Sequence, residues 1–236
     1  MATARTRANG IATMTKLVTF DVYMALLDIQ GSLVPVLSDA LGIDVAGADP
    51  LVRTWRAKQM ERAAASNSLD LGRFRFRDCT RQGLDYTLGR AGLDLPAGER
   101  ERLVMAWDDM RAWPEAVEVV AEVKRRGYAT AILSNGDQDM LEAVARQFGD
   151  ALDHVLSAEL AGVYKPHPKV YQLPGQKLGI APAETLHVAG SPNDVLGTKA
   201  FGIRCYWSNR TGDLVLDPAL GADWQGQDLR GVLDIL

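Results

Sequence analysis

Residues 16–21 read Lys16-Leu17-Val18-Thr19-Phe20-Asp21. A short apolar run that halts abruptly at a carboxylate, with helical pattern after it, reads as a buried parallel strand ending at Asp21. Four later runs have the same character: residues 128–133, 154–157, 185–189 and 203–207. Between them the apolar spacing turns helical, over 115–126, 138–148, 168–178 and up to about 201. Gly127 follows Lys124, Arg125 and Arg126, a helix stop, and Pro168 opens its helix. Strands alternating with helices of about ten residues predict stacked βαβ units and an α/β fold with a parallel, Rossmann-like sheet.

The stretch between the first two strands is different. Its periodicity predicts helices over 32–41, with Pro35 in the first turn, and over 49–65, 76–90 and 97–110. Breakers close the last three at Asn67-Ser68, Ala91-Gly92 and Trp113-Pro114. The chain then divides into a core, 16–32 plus 111–236, and an all-helical insertion, 33–110. The insertion leaves from the carboxyl end of the first strand, the edge where open parallel sheets hold their ligands, so it can roof a site there.

The polar residues at that edge are the candidate chemistry. Strand tips and the segments after them deliver Asp21, Ser134-Asn135, Tyr164-Lys165-Pro166, and Ser191, Asn193 and Asp194. Singly, each has an ordinary role as a helix cap or a solvated lysine. Together, two carboxylates, a hydroxyl–amide pair and an ammonium on one sheet edge read as a site.

Composition excludes several classes. The 236 residues are 47% hydrophobic, which excludes disorder. Two cysteines, Cys79 and Cys205, are too few for a disulfide scaffold and are expected to be reduced packing residues. With 26 basic and 30 acidic residues the net charge is −4, which disfavours nucleic acid and anionic membranes as partners. No run approaches the roughly 18 apolar residues of a membrane helix. Residues 1–15 carry Arg5 and Arg7 but no signal-peptide core; they are expected to be a disordered extension, or to precede a natural start at Met14. Residence in the cytoplasm follows by default. No Gly-x-Gly-x-x-Gly follows the first strand, so a dinucleotide enzyme is disfavoured.

Phe20-Asp21-Val22-Tyr23, Ser134-Asn135-Gly136, Tyr164-Lys165-Pro166 and Asp194 resemble the four motifs of the haloacid dehalogenase superfamily. Trp55-Arg56-x-Lys58-Gln59-Met60-Glu61, Phe76, Val170-Tyr171 and residues 207–212 resemble the type II L-2-haloacid dehalogenase branch, from Lys16 to the C-terminus. The resemblance implies that Asp21 is a nucleophile that displaces halide from C2 of a short 2-haloacid and forms an ester. It implies that Lys165 keeps Asp21 ionised and that Arg56 stabilises the departing halide with help from Asn135. Ser134 and backbone N–H groups near Met24 and Ala25 would hold the substrate carboxylate. Asp194 would act as base or water-positioner in ester hydrolysis. Tyr23 and Tyr171 would line the site, and Met60 and Phe76 would form apolar walls. The resemblance further implies a helical cap, a homodimer, and neither cofactor nor metal.

Tyr23 decides the reaction class. Phosphatases of this superfamily carry a second Asp two places after the nucleophile to protonate the leaving alcohol; halide leaves without a proton. Two departures concern substrate range: Met24-Ala25 replaces the branch's usual Gly-Thr, and the last motif is altered, leaving Ser191 or Asn193 in place of its Ser-Asn pair. The alternatives are a Mg²⁺-dependent small-molecule phosphatase and a non-catalytic carboxylate-binding protein on the same scaffold.

Overall fold

The computed structural model describes residues 14–69 and 72–236, so the expectation for the N-terminal extension lies, for residues 1–13, outside the described residues. Strand β1 (Leu17–Phe20) is buried along its whole length. Helices α1 (Ile29–Leu41), α2 (Val45–Ser68), α3 (Phe76–Ala91) and α4 (Ala97–Met105) follow it. The chain continues through α5 (Ala116–Arg125), β2 (Ala129–Ser134), α6 (Gln138–Ala145) and β3 (His154–Ser157). Next come α7 (Pro168–Tyr171), α8 (Leu173–Leu178), β4 (Thr185–Ala189), α9 (Pro192–Ala200), β5 (Arg204–Ser208), β6 (Trp224–Gly226) and α10 (Val232–Ile235).

The six strands form one sheet in the order β3-β2-β1-β4-β5-β6, with every neighbouring pair parallel. The order reverses at β1, whose successors β2 and β4 lie on opposite sides of it. That is the topological switch point, where a crevice opens at the carboxyl ends of the strands. Asp21 stands at its mouth.

Several helices begin or end away from their expected bounds. Helix α1 starts at Ile29 rather than 32, because Asp28 caps it by accepting a hydrogen bond from Gly31 N at 2.8 Å. Pro35 is therefore inside the helix rather than in its first turn. Its missing N–H leaves the Gly31 carbonyl without a helical partner, and the Arg111 guanidinium donates to that oxygen instead. Helix α2 likewise starts at Val45, capped by Asp44 through Gly47 N, with Pro50 in its interior. Helix α4 ends at Met105, short of 110, and passes into one 3₁₀ turn. The helix expected over 168–178 breaks at Gln172, where Pro174 fits only the first turn of a new helix. Strand β6 was not expected, since Trp224-Gln225-Gly226 is short, largely exposed and has no apolar run.

The helical layer is fastened to the sheet by an aromatic cluster and by crossed polar contacts. Tyr23, at the tip of β1, stacks on Phe76 at 5.4 Å and meets Trp107 edge-on at 5.8 Å. Trp107 in turn meets Trp55 edge-on at 5.4 Å. Such pairs contribute about 0.5–1.5 kcal/mol each beyond burial. Helix α3 has no side-chain cap of its own. Asp137, from the loop after β2, accepts from Phe76 N and Arg77 N at 2.9 and 3.0 Å and pairs with Arg73. Its carboxylate thus sits at the positive end of the helix dipole. Asn67 of α2 and Tyr164 exchange two hydrogen bonds, at 2.8 and 2.9 Å.

Candidate active site

Asp21 is 7% exposed. Its N–H stays in the sheet, donating to Val188 O at 2.9 Å, while its side chain leaves the ladder. Oδ1 accepts from Ser134 Oγ at 2.9 Å and faces Lys165 Nζ at 3.5 Å. Among the described residues Oδ2 has no hydrogen-bond partner. Burial raises the Asp21 carboxyl above its ordinary value, and the Asp194 charge adds to this while Lys165 opposes it.

Lys165 lies between two carboxylates. It donates to Asp194 Oδ2 at 2.8 Å, closer than to Asp21. Asp194 also accepts from Tyr171 OH at Oδ1, at 2.8 Å, and its Oδ2 is 2.9 Å from His187 Nε2. Burial alone would raise Asp194, but the Lys165 charge, with the hydrogen bonds from Lys165 and His187, outweighs it and holds the carboxyl far below its ordinary value. Tyr171 has the opposite fate: burial, then the Asp194 charge, push its phenol well up, so it remains a donor.

Arg56 reaches the site from α2. Its guanidinium carbon lies 5.1 Å from the Tyr23 ring centre and 5.8 Å from that of Trp107. Its one side-chain hydrogen bond runs to Gln59 Oε1, and no carboxylate pairs with it among the described residues. It is near enough to Asp21 for the two charges to act on each other. Gln59 is fully buried and donates to Thr80 Oγ1 at 2.6 Å, so Arg56 is aimed by a chain of hydrogen bonds inside the helical layer. Beside it opens a cavity of about 420 Å³, lined among others by Met24, Leu27, Arg53, Trp113 and Thr211.

Close backbone approach shapes the rest. Met24 has φ 79°, a left-handed conformation that side chains with a Cβ rarely adopt. Its carbonyl accepts from Trp113 Nε1 at 3.2 Å. A Cβ on Gly190 would lie 2.5 Å from Ala25 N, and one on Gly136 would lie 2.7 Å from the Tyr23 hydroxyl. Glycine at these two positions lets the β4 and β2 tips close on the loop after β1.

The expected residues fall into three groups. Asp21, Ser134, Lys165, Asp194 and Tyr171 form one hydrogen-bonded chain. Arg56, Tyr23 and Phe76 stack beside it, and Met60 is half-buried against the core. Asn135 has one half of its amide committed, and Ser191 and Asn193 sit at the start of α9. Asn135 Oδ1 accepts from Lys165 N at 2.8 Å, which shapes the lysine loop and leaves its Nδ2–H group without a partner among the described residues. Ser191 is the N-cap of α9, accepting from Asp194 N. Asn193 is exposed in the first turn of α9, because the helix turns its side chain outward where Asp194 turns inward.

Sequence reading missed His187, Thr19 and Gln59. His187 and Thr19 are register partners on neighbouring strands, 2.8 Å apart through Nδ1 and Oγ1, and both are fully buried. The available signal was a polar residue at the centre of each of two apolar runs, Leu17-Val18-Thr19-Phe20 and Leu186-His187-Val188.

A family model described as haloacid dehalogenase-like hydrolase matches residues 15–202. The (S)-2-haloacid dehalogenase of Pseudomonas sp. (strain YL) is 33% identical over 223 residues, 92% of this chain and 93% of that one. A solved dehalogenase in an intermediate complex is 30% identical, with TM-score 0.87, covering 96% of this chain and 98% of that one. The L-2-haloacid dehalogenase of Xanthobacter autotrophicus with chloropropionic acid covalently bound is 27% identical, with TM-score 0.81, covering 94% and 98%.

Proposed function

The chain belongs to the haloacid dehalogenase-like hydrolases, and from that premise we propose that it hydrolyses the carbon–halogen bond of short 2-haloalkanoic acids. The products are a 2-hydroxyacid, halide and a proton. The observation that carries this reading is Arg56, a guanidinium held over Tyr23 near Asp21 with no ion-pair partner among the described residues. A cation in that position fits an anion that appears during the reaction.

Asp21 Oδ2 is the attacking atom, since Oδ1 is held by Ser134 and Lys165. It forms a bond to C2 as the carbon–halogen electron pair leaves with the halide, beside Arg56. Partial burial weakens hydration of the carboxylate and leaves it more reactive. The N–H groups near Met24 and Ala25 receive the substrate carboxylate, while Ser134 Oγ, whose one hydrogen is committed to Asp21 Oδ1, can reach it only by letting go of the nucleophile. Water then adds to Cγ of the ester; the C2 oxygen departs with one water proton, and the Asp21 carboxylic acid loses the other to regain its charge. Asp194 is the holder of Lys165 and of the water rather than the base, because three donors converge on it and hold its proton affinity low. Tyr23 cannot stand in for the phosphatase acid: burial, above all, lifts its phenol far above its ordinary value.

The same reading makes residues 33–110 a cap over a core of 16–32 and 111–236. It extends to a homodimer in the cytoplasm. Among the described residues no single helix is long and apolar enough to cross a membrane.

The test is halide release from 2-chloropropionate, chloroacetate and fluoroacetate with a metal chelator present. Release from at least one is expected. Folded protein that released halide from none would overturn the proposal, and phosphate release exceeding it would favour the phosphatase alternative.

A further inference from the structure

His187 is a fully buried titratable residue that the reaction above uses only as one of three donors to Asp194. Its Nε2 lies 2.9 Å from Asp194 Oδ2 and 3.2 Å from Lys165 Nζ, and its Nδ1 lies 2.8 Å from Thr19 Oγ1. A bare Nε2 would point its lone pair at a carboxylate oxygen, so Nε2 carries the hydrogen and donates to Oδ2. The Lys165 ammonium, 3.2 Å from Nε2, disfavours a second positive charge on the ring, so Nδ1 keeps its lone pair and accepts from the Thr19 hydroxyl, which has no other partner among the described residues. Thr19 thus selects the tautomer, and the in-register pairing of Thr19 with His187 across β1 and β4 places it to do so.

Two donors, His187 and Lys165, therefore share Asp194 Oδ2. The lysine is already nearer Asp194, at 2.8 Å, than Asp21, at 3.5 Å. With the imidazole donor removed, nothing else on that oxygen competes with the ammonium, and it would be drawn wholly to Asp194. We infer that His187 is a positioning residue that shares Asp194 with Lys165 and so leaves the ammonium within reach of Asp21. The role rests on the dehalogenase reading for its purpose, though its geometry does not. The charged and titratable groups that face Asp21 among the described residues are Lys165, Asp194, His187 and, across the site, Arg56, with the Tyr23 and Tyr171 phenols beside them and Ser134 as a neutral donor.

The experiment follows the Asp21 side-chain carboxyl by ¹³C NMR as pH is varied, with Asp21→Asn identifying the signal. In His187→Phe the Asp21 titration is expected to move up by about one pH unit, equivalent to about tenfold in proton affinity. Single-turnover halide release, measured below that titration, should fall about tenfold with KM unchanged. His187→Gln, whose amide N–H sits near the place of Nε2–H, should return most of the loss; a merely space-filling role would leave both variants alike. If His187→Phe does not fold, Thr19→Val carries the test. Long-range ¹⁵N–¹H spectra should show His187 of the native protein as the neutral Nε2–H form, and Thr19→Val as a mixture of tautomers. An Nδ1–H form in the native protein, or an Asp21 titration unmoved in folded His187→Phe, would overturn the inference. The NMR titration needs no turnover, so native protein that released no halide would sink the dehalogenase reading alone.

Discussion

The Arg56 guanidinium lies 5.1 Å from the centre of the Tyr23 ring, so a cation from the helical layer rests on the aromatic side chain two residues past Asp21. The arrangement holds the cation by its face and leaves its edge for an anion. Lysine cannot reproduce it, because an ammonium has no plane to stack. Arg56→Lys and Arg56→Ala are each expected to lower kcat for 2-chloropropionate by about 10²–10³, the loss typical of a donor aimed at developing charge. Steady-state kinetics checks this; loss in KM alone would instead assign Arg56 to substrate binding.

Asp21→Asn is expected to abolish turnover and to raise stability at neutral pH. Burial, chiefly, raises the Asp21 carboxyl above 3.8, so the folded chain holds that proton more tightly than the unfolded chain. Its ionisation therefore subtracts stability as pH rises from the ordinary value through the folded one. The neutral amide removes that loss. Thermal melts across pH read it, each 1 kcal/mol moving Tm by about 2–4 °C. Activity should show an acidic limb above 3.8, since Asp21 must be ionised to attack.

Asp194 has the opposite sign. Despite burial, Lys165 and His187 hold it far below 3.8, so its stabilisation is present above the ordinary value and is lost as pH falls toward the folded one. Asp194→Asn breaks a buried ion pair, a change that typically costs about 3–5 kcal/mol. Halide release in a single turnover should persist while ester hydrolysis slows. Intact-mass measurement after substrate addition should then find chain carrying one carboxyalkyl group.

Met24→Gly tests the strained loop. A side chain with a Cβ at φ 79° costs roughly 1–2 kcal/mol relative to glycine. The variant is expected to melt higher by a few degrees, partly offset by lost packing of the half-buried methionine. Its wider entrance should change the ranking of haloacids by chain length, read as kcat/KM ratios.

Asn67→Ala removes both hydrogen bonds between α2 and the Tyr164 backbone. Leaving those buried groups unpaired costs about 1–3 kcal/mol. Hydrogen exchange should quicken in the Tyr164–Lys165 segment more than in β1, and turnover should fall with it.

Much of the fold was legible because parallel strands buried on both faces must be short apolar runs, and β1 through β5 are. The helical stretch after β1 was legible for the same reason, through its 3.6-residue period. Helix starts at Ile29 and Val45 were not, because Pro35 looked like a first-turn residue and the apolar period of the next helix pointed to a start at 49. The capping carboxylates Asp28 and Asp44, each closing on a glycine three residues later, moved both starts upstream. Strand β6 escaped because its partner β5 makes it a strand, not its own residues.

At the site, sequence by itself determined the chemical types on offer: Asp21, Ser134, Lys165 and Asp194 at strand tips, and a tyrosine where an acid would serve phosphate chemistry. A side chain's type and its place at a strand end are local properties, written in the chain. Tertiary structure alone decided which partner each one meets. Lys165 is divided between two carboxylates, Asn135 is turned to a backbone N–H, Ser191 becomes a helix cap, and His187 enters the network from a strand that reads as plain core. The Lys165–Asp21 contact joins residues 144 positions apart, and the Lys165–Asp194 and Lys165–Asn135 contacts join residues 29 and 30 apart on different strand ends. The packing of β1 between β2 and β4 brings those ends together.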